Sequence, residues 1–355
     1  MLEDCFYVIG MMSGTSLDGI DLVYTKFEKD NFTNFQIIHS DTISYTNEWR
    51  NTLQEAIHYS PSKLKELDVL YGDLIGGVIN NFIEKKIIDK VDFIASHGHT
   101  IIHQPDKGIT LQIGNGQTIA NKTGIKVVCD FRLQDVRLGG QGAPLVPIGD
   151  KLLFADYEYC VNLGGFANLS FEEKGKRIAY DICPVNIVLN FYARKLGVEY
   201  DNKGRLALKG ELNEKLLGKL NALSFYNKKP PKSLGLEWVQ ENIFPLIDKE
   251  EQNVSVILRT FTEHAAIHIG KQLKKNTKVL YTGGGVFNTF LMERIEFYTK
   301  QRVVLREKQL IEYKEALIFA FLGVLRIENQ VNCLSSVTGA REDHSSGVIF
   351  RKEDN

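Results

Sequence analysis

The chain has 355 residues, of which 43% are hydrophobic and 25% charged, so it can bury a large core and favours two domains over one. Its formal net charge of -1 and pI near 6.7 lack the basic excess typical of proteins that bind nucleic acid or anionic membranes. No stretch approaches the length of a membrane span, and the acidic N-terminal segment does not resemble a signal peptide. Five widely spaced cysteines indicate neither a disulfide framework nor a zinc site. We therefore expect a cytoplasmic protein with reduced thiols and a small-molecule ligand.

The first half of the chain alternates predicted strands with predicted helices. Strand-like apolar runs cover residues 5–9, 22–27, 35–45, 93–96 and 125–129. A long helix is predicted to start at Ser60 and Pro61, because apolar residues then recur at helical spacing: Leu64, Leu67, Leu70, Leu74, Val78 and Phe82. The first two strands flank a glycine-rich turn with more polar side chains than a hairpin needs.

The opening pattern returns later in the chain. Residues 159–171 again read as strand, glycine-containing turn and strand, and residues 177–181 follow as a third strand. The two hairpins lie about 150 residues apart, which predicts two related domains. A third glycine-rich segment, residues 279–288, ends a strand and opens a helix, so its backbone N–H groups can bind an anion or a nucleotide.

Common nucleotide-binding motifs are absent from the sequence. No Gly-Lys pair is followed by Ser or Thr, no Gly-x-Gly-x-x-Gly follows a strand, and the protein-kinase motifs are missing. One glycine-rich turn is as consistent with an ordinary hairpin as with a binding loop. Three such segments together favour a bound nucleotide.

Nine short motifs spread over nearly the whole chain carry a resemblance to a known family. They are residues 14–21, 96–98, 130–132, 139–147, 162–165, 230–233, 283–285, 315–316 and 337–340. Together they resemble the anhydro-N-acetylmuramic acid kinases. The resemblance implies the sugar kinase, Hsp70 and actin superfold, in which two related actin-like (ribonuclease H-like) α/β domains surround a nucleotide cleft. We place the N-terminal domain at residues 1–131 plus 335–355 and the C-terminal domain at residues 132–334.

The resemblance also implies a reaction. Members of the family use ATP, Mg²⁺ and water to convert 1,6-anhydro-N-acetylmuramic acid to N-acetylmuramic acid 6-phosphate during cell-wall recycling, and they are typically homodimers. Water attacks the anomeric carbon while the released anhydro oxygen takes the γ-phosphoryl group. A carboxylate must therefore deprotonate the water, and donors and a metal must stabilise the phosphoryl charge.

Three segments are expected to bind ATP. The first hairpin contributes Gly14, Thr15, Ser16, Leu17, Asp18, Gly19 and Asp21. Asp18 and Asp21 are expected to orient Mg²⁺ through water, although Asp18 is also compatible with an ordinary turn carboxylate. Gly164, Gly165 and Asn168 are expected to form the second phosphate clamp, and Gly283, Gly284, Gly285 and Asn288 the adenosine side.

Asp181 is the expected catalytic base. It ends the third strand of the repeat, and Pro184 favours a helix whose N-cap falls at Cys183, so Asp181 comes too early to be the cap. The family motif resembles Asp-Thr-Gly-Pro-Gly-Asn. Asp181, Pro184 and Asn186 match this motif, whereas Ile182, Cys183 and Val185 depart from it. The departures leave the substrate and the turnover rate open.

His97, Arg132 and Glu315 fall in segments expected to contact the sugar. Arg132 suits the lactyl carboxylate, with a surface ion pair as the alternative. Glu315 is also compatible with an ordinary first-turn carboxylate of a helix. The family typically has Gln where this chain has His99.

Two histidine groups have alternative interpretations. His97, His99 and His103 have a spacing compatible with zinc, but the resemblance gives His97 another role. His264 and His268 lie four residues apart on a predicted helix without the His-Glu-x-x-His pattern, which favours a packed or exposed helix face.

Two further functions stay open from the sequence. One is a phosphotransferase of the same fold that acts on another sugar or carboxylate. The other is a nucleotide-binding actin-like protein without turnover. Product analysis with ATP and the anhydro sugar distinguishes them.

Overall fold

The computed structural model describes residues 4–14 and 17–353. Its strands are β1 Cys5–Ser13, β2 Gly19–Glu28, β3 Phe35–Ser44, β4 Phe93–Gln104, β5 Ile109–Ile113, β6 Val127–Cys129, β7 Tyr159–Leu163, β8 Phe166–Glu173, β9 Lys176–Pro184, β10 Val279–Thr282 and β11 Val348–Phe350. Its helices are α1 Asn47–Glu55, α2 Pro61–Lys86, α3 Gly116–Thr123, α4 Leu133–Arg137, α5 Pro147–Leu153, α6 Asn186–Arg194, α7 Arg205–Lys209, α8 Glu214–Asn221, α9 Leu236–Asn242, α10 Phe244–Glu250, α11 Val254–Gln272, α12 Thr289–Thr299, α13 Lys308–Ile327 and α14 Ser335–Thr338. Across these residues, no helix is long and apolar enough to cross a membrane.

The chain forms two compact units. The first unit contains residues 1–153 and 313–355, and the second contains residues 154–312. The boundaries expected from the sequence, at 131/132 and 334/335, differ from these because α4, α5 and most of α13 pack within the first unit. Gly10 of β1 allows the close approach of α13, since a Cβ there would lie 2.2 Å from the carbonyl oxygen of Ala316.

The sheet of the first unit has the strand order β11-β6-β4-β1-β2-β3, with β5 paired to β4. Strands β1, β2 and β3 form an antiparallel meander, and β4 runs parallel to β1. Its core contains β1 and β2 residues packed with α2. The structure confirms the start of α2, where the Ser60 side chain accepts a hydrogen bond from the N–H of Lys63 and Pro61 opens the helix.

The buried face of α2 differs from the predicted apolar stripe. Leu64, Leu67 and Phe82 are buried as expected, whereas Leu70 is 59% exposed. The middle of the buried face is formed by Tyr71, Ile75 and Ile79. A helix has 3.6 residues per turn, so a second step of three residues, from Leu67 to Leu70, falls short of a full turn. Leu70 therefore lies outside the buried face.

The sheet of the second unit repeats the central order of the first. Its strands are ordered β10-β7-β8-β9. Strands β7, β8 and β9 form an antiparallel meander, and β10 runs parallel to β7 as β4 does to β1. The shared order confirms the predicted fold class of two related actin-like α/β domains.

Candidate active site

A row of polar side chains crosses all four strands of the second unit's sheet. Thr282 of β10 lies opposite Asn162 of β7, Asn162 lies opposite Asn168 of β8, and Asn168 lies opposite Asp181 of β9. Residues directly opposite on neighbouring strands have their side chains on one face of the sheet. The Oγ1 of Thr282 is 3.5 Å from Oδ1 of Asn162. The sequence indicated Asn168 and Asp181 as site residues but gave no role to Thr282 or to the Asn162 side chain.

A β-bulge at Ile182 separates Asp181 from the core. Ala167 pairs with Cys183, while the next residue of β8, Asn168, pairs with Asp181, so Ile182 is the additional residue. Ile182 is 1% exposed and Cys183 is fully buried, whereas Asp181 is only partly buried. The bulge thus lets the thiol pack in the core while the carboxylate joins the polar row.

The helix start after Asp181 differs from the prediction. Strand β9 continues to Pro184, which pairs with Phe166, and α6 begins at Asn186 with Val185 as its N-cap. The predicted N-cap at Cys183 is therefore wrong, because Pro184 ends a strand here rather than opening a helix. Asp181 itself accepts no bond from the helix start, as expected for a residue outside the cap.

The loop before α9 holds the Asp181 carboxylate. Its Oδ2 accepts the N–H of Leu234 at 2.8 Å, and the Asp181 N–H donates to the carbonyl of Lys232 at 3.1 Å. Burial raises the pKa of Asp181, and the bond from Leu234 partly opposes this shift. Within the described part of the chain, Oδ1 accepts no hydrogen bond, so it is available to a water molecule.

The two glycine segments of the second unit lie against each other. In the β7–β8 turn, Gly165 accepts the N–H of Val185 at 2.8 Å, which ties the turn to the start of α6. Gly283 has a φ of +85°, and a Cβ there would lie 2.6 Å from Oδ1 of Asn162. A Cβ at Gly285 would lie 2.8 Å from the Cβ of Leu163, whereas Gly284 is open. The structure brings Gly164, Gly165, Gly283, Gly284 and Gly285 to one end of this sheet.

Asn288 has a structural function. Its Oδ1 accepts the N–H of Leu291 at 3.0 Å and caps α12. The same oxygen lies 2.3 Å from the position that a Cβ of Gly204 would occupy. Any ligand contact of Asn288 is therefore left to its amide nitrogen.

The first hairpin belongs to the first unit. Thr15 and Ser16 lie outside the described residues. The Leu17 N–H donates to the Gly14 carbonyl at 3.3 Å, and Leu17 has a φ of 59°. Gly19 is closely approached by β3, since a Cβ there would lie 2.5 Å from the carbonyl oxygen of Ile43.

The two candidate metal-orienting carboxylates of this hairpin differ in environment. Asp18 is exposed. Asp21, on β2, is partly buried and accepts the hydroxyl of Thr42 at 2.6 Å. Carboxylate oxygens are the ligand type that Mg²⁺ prefers, so the residue types fit indirect coordination through water.

A buried polar chain supports the base of the first hairpin. The Ser13 hydroxyl is hydrogen-bonded to Nδ1 of His99 at 2.9 Å and to the Tyr45 hydroxyl at 2.6 Å, and Tyr45 bonds to Tyr71. Burial lowers the pKa of His99 to about 4, so the ring is neutral at pH 7. Only the unusual His99 marked this network in the sequence, because its members are far apart along the chain.

His97 and Arg132 form a directed pair in the first unit. The Nε–H of Arg132 donates to Nε2 of His97 at 3.0 Å, and Nη1 of Arg132 donates to the Gly142 carbonyl at 2.7 Å. Nδ1 of His97 lies 3.0 Å from the Gly98 carbonyl, so the neutral ring donates there and accepts from Arg132. Burial lowers the pKa of His97 well below its usual value, and Arg132 adds to that effect.

Arg132 is not a surface ion pair. Among the described residues, none forms a salt bridge with it, and its Nη2 group donates no hydrogen bond. Burial lowers its pKa to about 10, while the charge of Glu315 opposes this shift. A partly buried guanidinium with two fixed donors and one uncommitted nitrogen is suited to an anionic ligand.

Glu315 lies in α13, two residues after a break in the helix at Tyr313. Its side chain is partly buried and has no hydrogen-bond partner within the portion that the structure describes. Burial raises its pKa, and the neighbouring Lys314 and Arg132 partly oppose this. Lys314 itself pairs with Asp150 at 3.0 Å, so the cation next in sequence is committed elsewhere.

The histidine alternatives are settled by their hydrogen bonds. Ring nitrogens of His97, His99 and His103 bond to Arg132, Ser13 and Thr110, respectively, so the three do not share a metal position. His264 and His268 both bond to Oδ1 of Asn221 on a buried face of α11, which confirms the packed helix face.

Comparison with known proteins identifies the family. A family model described as "Anhydro-N-acetylmuramic acid kinase" matches residues 6–352. The chain belongs to the anhydro-N-acetylmuramic acid kinase family. The anhydro-N-acetylmuramic acid kinase of Mannheimia succiniciproducens is 34% identical to it, over 98% of this chain and 99% of the relative. That of Haemophilus influenzae is 33% identical, over 98% of each chain. One from Sulfurimonas denitrificans is 31% identical over 97% of this chain and 99% of the relative.

Solved structures give more distant likenesses. A glucokinase of the ROK family from Streptomyces griseus, in complex with glucose and AMPPNP, has 12% identity and a TM-score of 0.39 over 89% of this chain and 98% of that chain. An activator of 2-hydroxyisocaproyl-CoA dehydratase from Clostridium difficile with bound ADPNP has 12% identity and a TM-score of 0.44, over 91% of this chain and 97% of that chain. The fold class of this anhydro-N-acetylmuramic acid kinase family member therefore rests on the strand orders of its two sheets.

Proposed function

We propose that this chain is an ATP-dependent kinase that opens 1,6-anhydro-N-acetylmuramic acid with water and phosphorylates it to N-acetylmuramic acid 6-phosphate in peptidoglycan recycling. The family match over residues 6–352 supports the activity. The observation that carries the chemistry is the Asp181 carboxylate on a polar row, with one oxygen held by Leu234 and the other open to water.

Asp181 is the proposed general base. Hydrolytic opening requires a carboxylate that takes a proton from water as the water attacks the anomeric carbon. A pKa raised by burial makes Asp181 a stronger base than an exposed aspartate. The Leu234 N–H fixes the orientation of the carboxylate, so that Oδ1 can accept the proton.

The glycine turns are the proposed ATP-binding elements. In the second unit, the Gly164 N–H donates to the Phe166 carbonyl at 3.2 Å. The N–H groups of Gly165 and Gly284, where a Cβ would meet no atom closer than 3.8 Å, are therefore the ones that can donate to phosphate oxygens. The amides of Asn162 and Asn168 lie on the same row as the base and can add donors. In the first unit we assign the same role to residues 14–19 on the strength of their motif.

Asp18 and Asp21 are the residues that would hold Mg²⁺ through water. When bound, Mg²⁺ neutralises charge on the phosphoryl oxygens. Asp18 is exposed, and Asp21 is partly buried and accepts a hydrogen bond from the Thr42 hydroxyl on Oδ1. Both supply carboxylate oxygens, which are the acceptors that metal-coordinated water requires.

Arg132 is the proposed receptor for the lactyl carboxylate. Its guanidinium is held by His97 and Gly142 on two nitrogens, so the third nitrogen projects a donor with a fixed direction. Glu315 has no hydrogen-bond partner among the residues that the structure describes, so its carboxylate can accept hydrogen bonds from the hydroxyl or amide groups of the sugar.

The residues that depart from the family motif do not alter this assignment. Ile182 is 1% exposed, and Cys183 and Val185 are fully buried in the hydrophobic core of the second unit. Their side chains replace core volume rather than groups on the polar row. We therefore propose that the anhydro sugar is retained as the substrate. We also propose that the enzyme is a cytoplasmic homodimer, which the family resemblance supports.

The test is product analysis in ¹⁸O-labelled water. Purified protein with ATP, Mg²⁺ and 1,6-anhydro-N-acetylmuramic acid should give N-acetylmuramic acid 6-phosphate with one ¹⁸O at C1 and none in the phosphate ester. Unlabelled product incubated in the same water controls for exchange at C1. ATP consumption only with another acceptor would instead indicate a different phosphotransferase. Tight nucleotide binding without any product would indicate a protein without turnover.

A further inference from the structure

Three metal-ligating side chains meet in the interior of the first unit. Asp135 of α4 is fully buried, Cys333 is 1% exposed and His344 is 7% exposed. Cys333 and His344 face each other across an antiparallel bridge, and hydrogen bonds from Cys333 and Thr338 to Asp135 hold this segment against α4. One ligand atom from each of the three residues lies within 4.8 Å of the others. The proposed kinase chemistry uses none of these side chains.

The orientation of His344 singles out this cluster. Its Nδ1 lies 3.1 Å from the Glu342 carbonyl, so Nδ1 carries the proton and Nε2 carries the lone pair. Nε2 is buried and has no hydrogen-bond partner anywhere in the described ranges 4–14 and 17–353. An unpaired buried nitrogen is costly. Metal-binding histidines typically donate one ring N–H to a carbonyl while the other nitrogen binds the ion.

The donor set fits Zn²⁺, and the two separations from the Asp135 carboxylate oxygen are close to those of a zinc site. A thiolate, an imidazole and a carboxylate are the ligands that zinc prefers. Tetrahedral zinc separates its ligand atoms by about 3.3–3.5 Å, given bonds of about 2.0 Å to nitrogen or oxygen and about 2.3 Å to sulfur. In the structure, Oδ1 of Asp135 is 3.0 Å from Sγ of Cys333 and 3.6 Å from Nε2 of His344. We propose that Asp135, Cys333 and His344 bind one Zn²⁺ ion.

Neighbouring groups complete the site. The N–H of Gly142 donates to Oδ2 of Asp135 at 2.7 Å and so leaves Oδ1 for the ion. The Thr338 hydroxyl donates to Oδ1 at 2.7 Å and so helps to orient the carboxylate. Binding replaces the thiol proton that Cys333 shares with Asp135, so one proton is released to solvent for each ion bound.

The ion would have a structural effect on the Arg132 segment. Gly142 links the two residues: its N–H donates to Oδ2 of Asp135, and its carbonyl accepts a hydrogen bond from Nη1 of Arg132. Zinc would therefore stabilise the loop that orients the guanidinium. The alternative is a metal-free network in which the Cys333 thiol and the Thr338 hydroxyl donate to Asp135 and a protonated His344 pairs with it at 3.6 Å.

Zinc binding by the whole protein tests the proposal. Metal-stripped protein is titrated with ZnSO₄ against a chromophoric chelator, for wild type, Cys333→Ser, His344→Gln and, as a buried-thiol control, Cys160→Ala. We expect one ion per chain, with a dissociation constant below about 1 μM in wild type and in the control. Each ligand variant should bind at least about 100-fold more weakly. Equal weak binding by all four proteins would overturn the proposal in favour of the metal-free network.

Two further measurements keep the test independent of folding and of kinase activity. With CoSO₄, wild type should show a thiolate-to-metal charge-transfer band that Cys333→Ser lacks. The thermal midpoint of wild type should rise on adding ZnSO₄, while that of His344→Gln should not. If a variant fails to fold, the wild-type cobalt spectrum decides, and absence of the charge-transfer band overturns the site. None of these readouts involves ATP or the sugar, so they stand apart from the product analysis.

Discussion

The Nε–H of Arg132 donates to Nε2 of His97 over 3.0 Å, so a buried imidazole sets the direction of the guanidinium. Because burial lowers the pKa of His97 well below its usual value, the ring remains an acceptor throughout the neutral range. The remaining donors of Arg132 are therefore oriented before any ligand arrives, and this lowers the entropic cost of binding an anion.

Replacing Arg132 by Lys should weaken binding of the sugar. A lysine keeps the charge but loses the planar set of donors and the bonds to His97 and Gly142. We expect KM for the anhydro sugar to rise about 10- to 100-fold and KM for ATP to stay within about twofold, as measured by steady-state kinetics. The exposed Arg137, replaced by Lys, is the control. An unchanged sugar KM in Arg132→Lys would remove Arg132 from the binding site.

Asp181→Asn should abolish the proton transfer. The amide preserves the shape and can still accept the Leu234 N–H, but it cannot take a proton from water. We expect kcat to fall by about 10² to 10⁴, with the ATP dissociation constant within a few-fold of wild type. Asp156, an exposed carboxylate of the same unit, serves as the control when replaced by Asn. Wild-type turnover by Asp181→Asn would exclude this residue as the base.

The same variant should also change how stability depends on pH. Burial raises the folded-state pKa of Asp181 above 3.8, so its favourable contribution is complete below that value and is lost as the pH rises through the folded pKa. An amide has no such loss. We expect Asp181→Asn to have a higher thermal midpoint than wild type at pH 7.5, with the difference shrinking as the pH approaches 4. A constant difference across this range would contradict the raised pKa.

His99→Gln should make the protein less sensitive to acid. The folded-state pKa of His99 is lowered from 6.5 to about 4, so its contribution is present above 6.5 and is lost as the pH falls toward 4. Each pH unit in this window costs wild type about 1.4 kcal/mol. Between pH 7 and pH 5 we expect the variant to lose about 2 kcal/mol less unfolding free energy than wild type, measured with urea. Equal losses would show that the ring titrates normally.

Gly283 and Gly284 form a matched pair for testing the glycine turn. Gly283 has a positive φ, and a Cβ there would meet Asn162 Oδ1 at 2.6 Å, whereas a Cβ at Gly284 has nothing within 4 Å. Gly283→Ala should destabilise the protein by about 1–3 kcal/mol in urea unfolding. Gly284→Ala should change stability by less than about 0.5 kcal/mol. Similar effects of both substitutions would mean that backbone geometry does not select glycine here.

Local signals in the sequence predicted much of the fold. Ser60 and Pro61 marked the start of α2, and the recurrence of a glycine hairpin before a third strand revealed the duplicated sheet order. These features depend on neighbouring residues, so a single sequence contains them. The burial of Tyr71 and the exposure of Leu70 were not predicted, because they depend on which helix face meets the sheet.

The candidate site was predictable in its residue types but not in its geometry. Asp181 stood out by motif, yet its partner Leu234 lies 53 residues further along the chain. His99 stood out only as an unusual residue, since its partner Ser13 is 86 residues away. The strand extending to Pro184 could not be distinguished from a helix start, because proline is compatible with both.

The bulge at Ile182 changes which faces of the sheet the residues around it occupy. In a regular strand Asp181 and Cys183 are two residues apart and would share a face, but the additional residue places them opposite the neighbouring residues Asn168 and Ala167, which lie on opposite faces. Deleting Ile182 alone should therefore preserve both pairings and keep the carboxylate and the thiol on their present faces. Replacing the bulge by regular pairing of all three residues would instead place the two side chains on one face, where a carboxylate and a core thiol cannot both find a suitable environment.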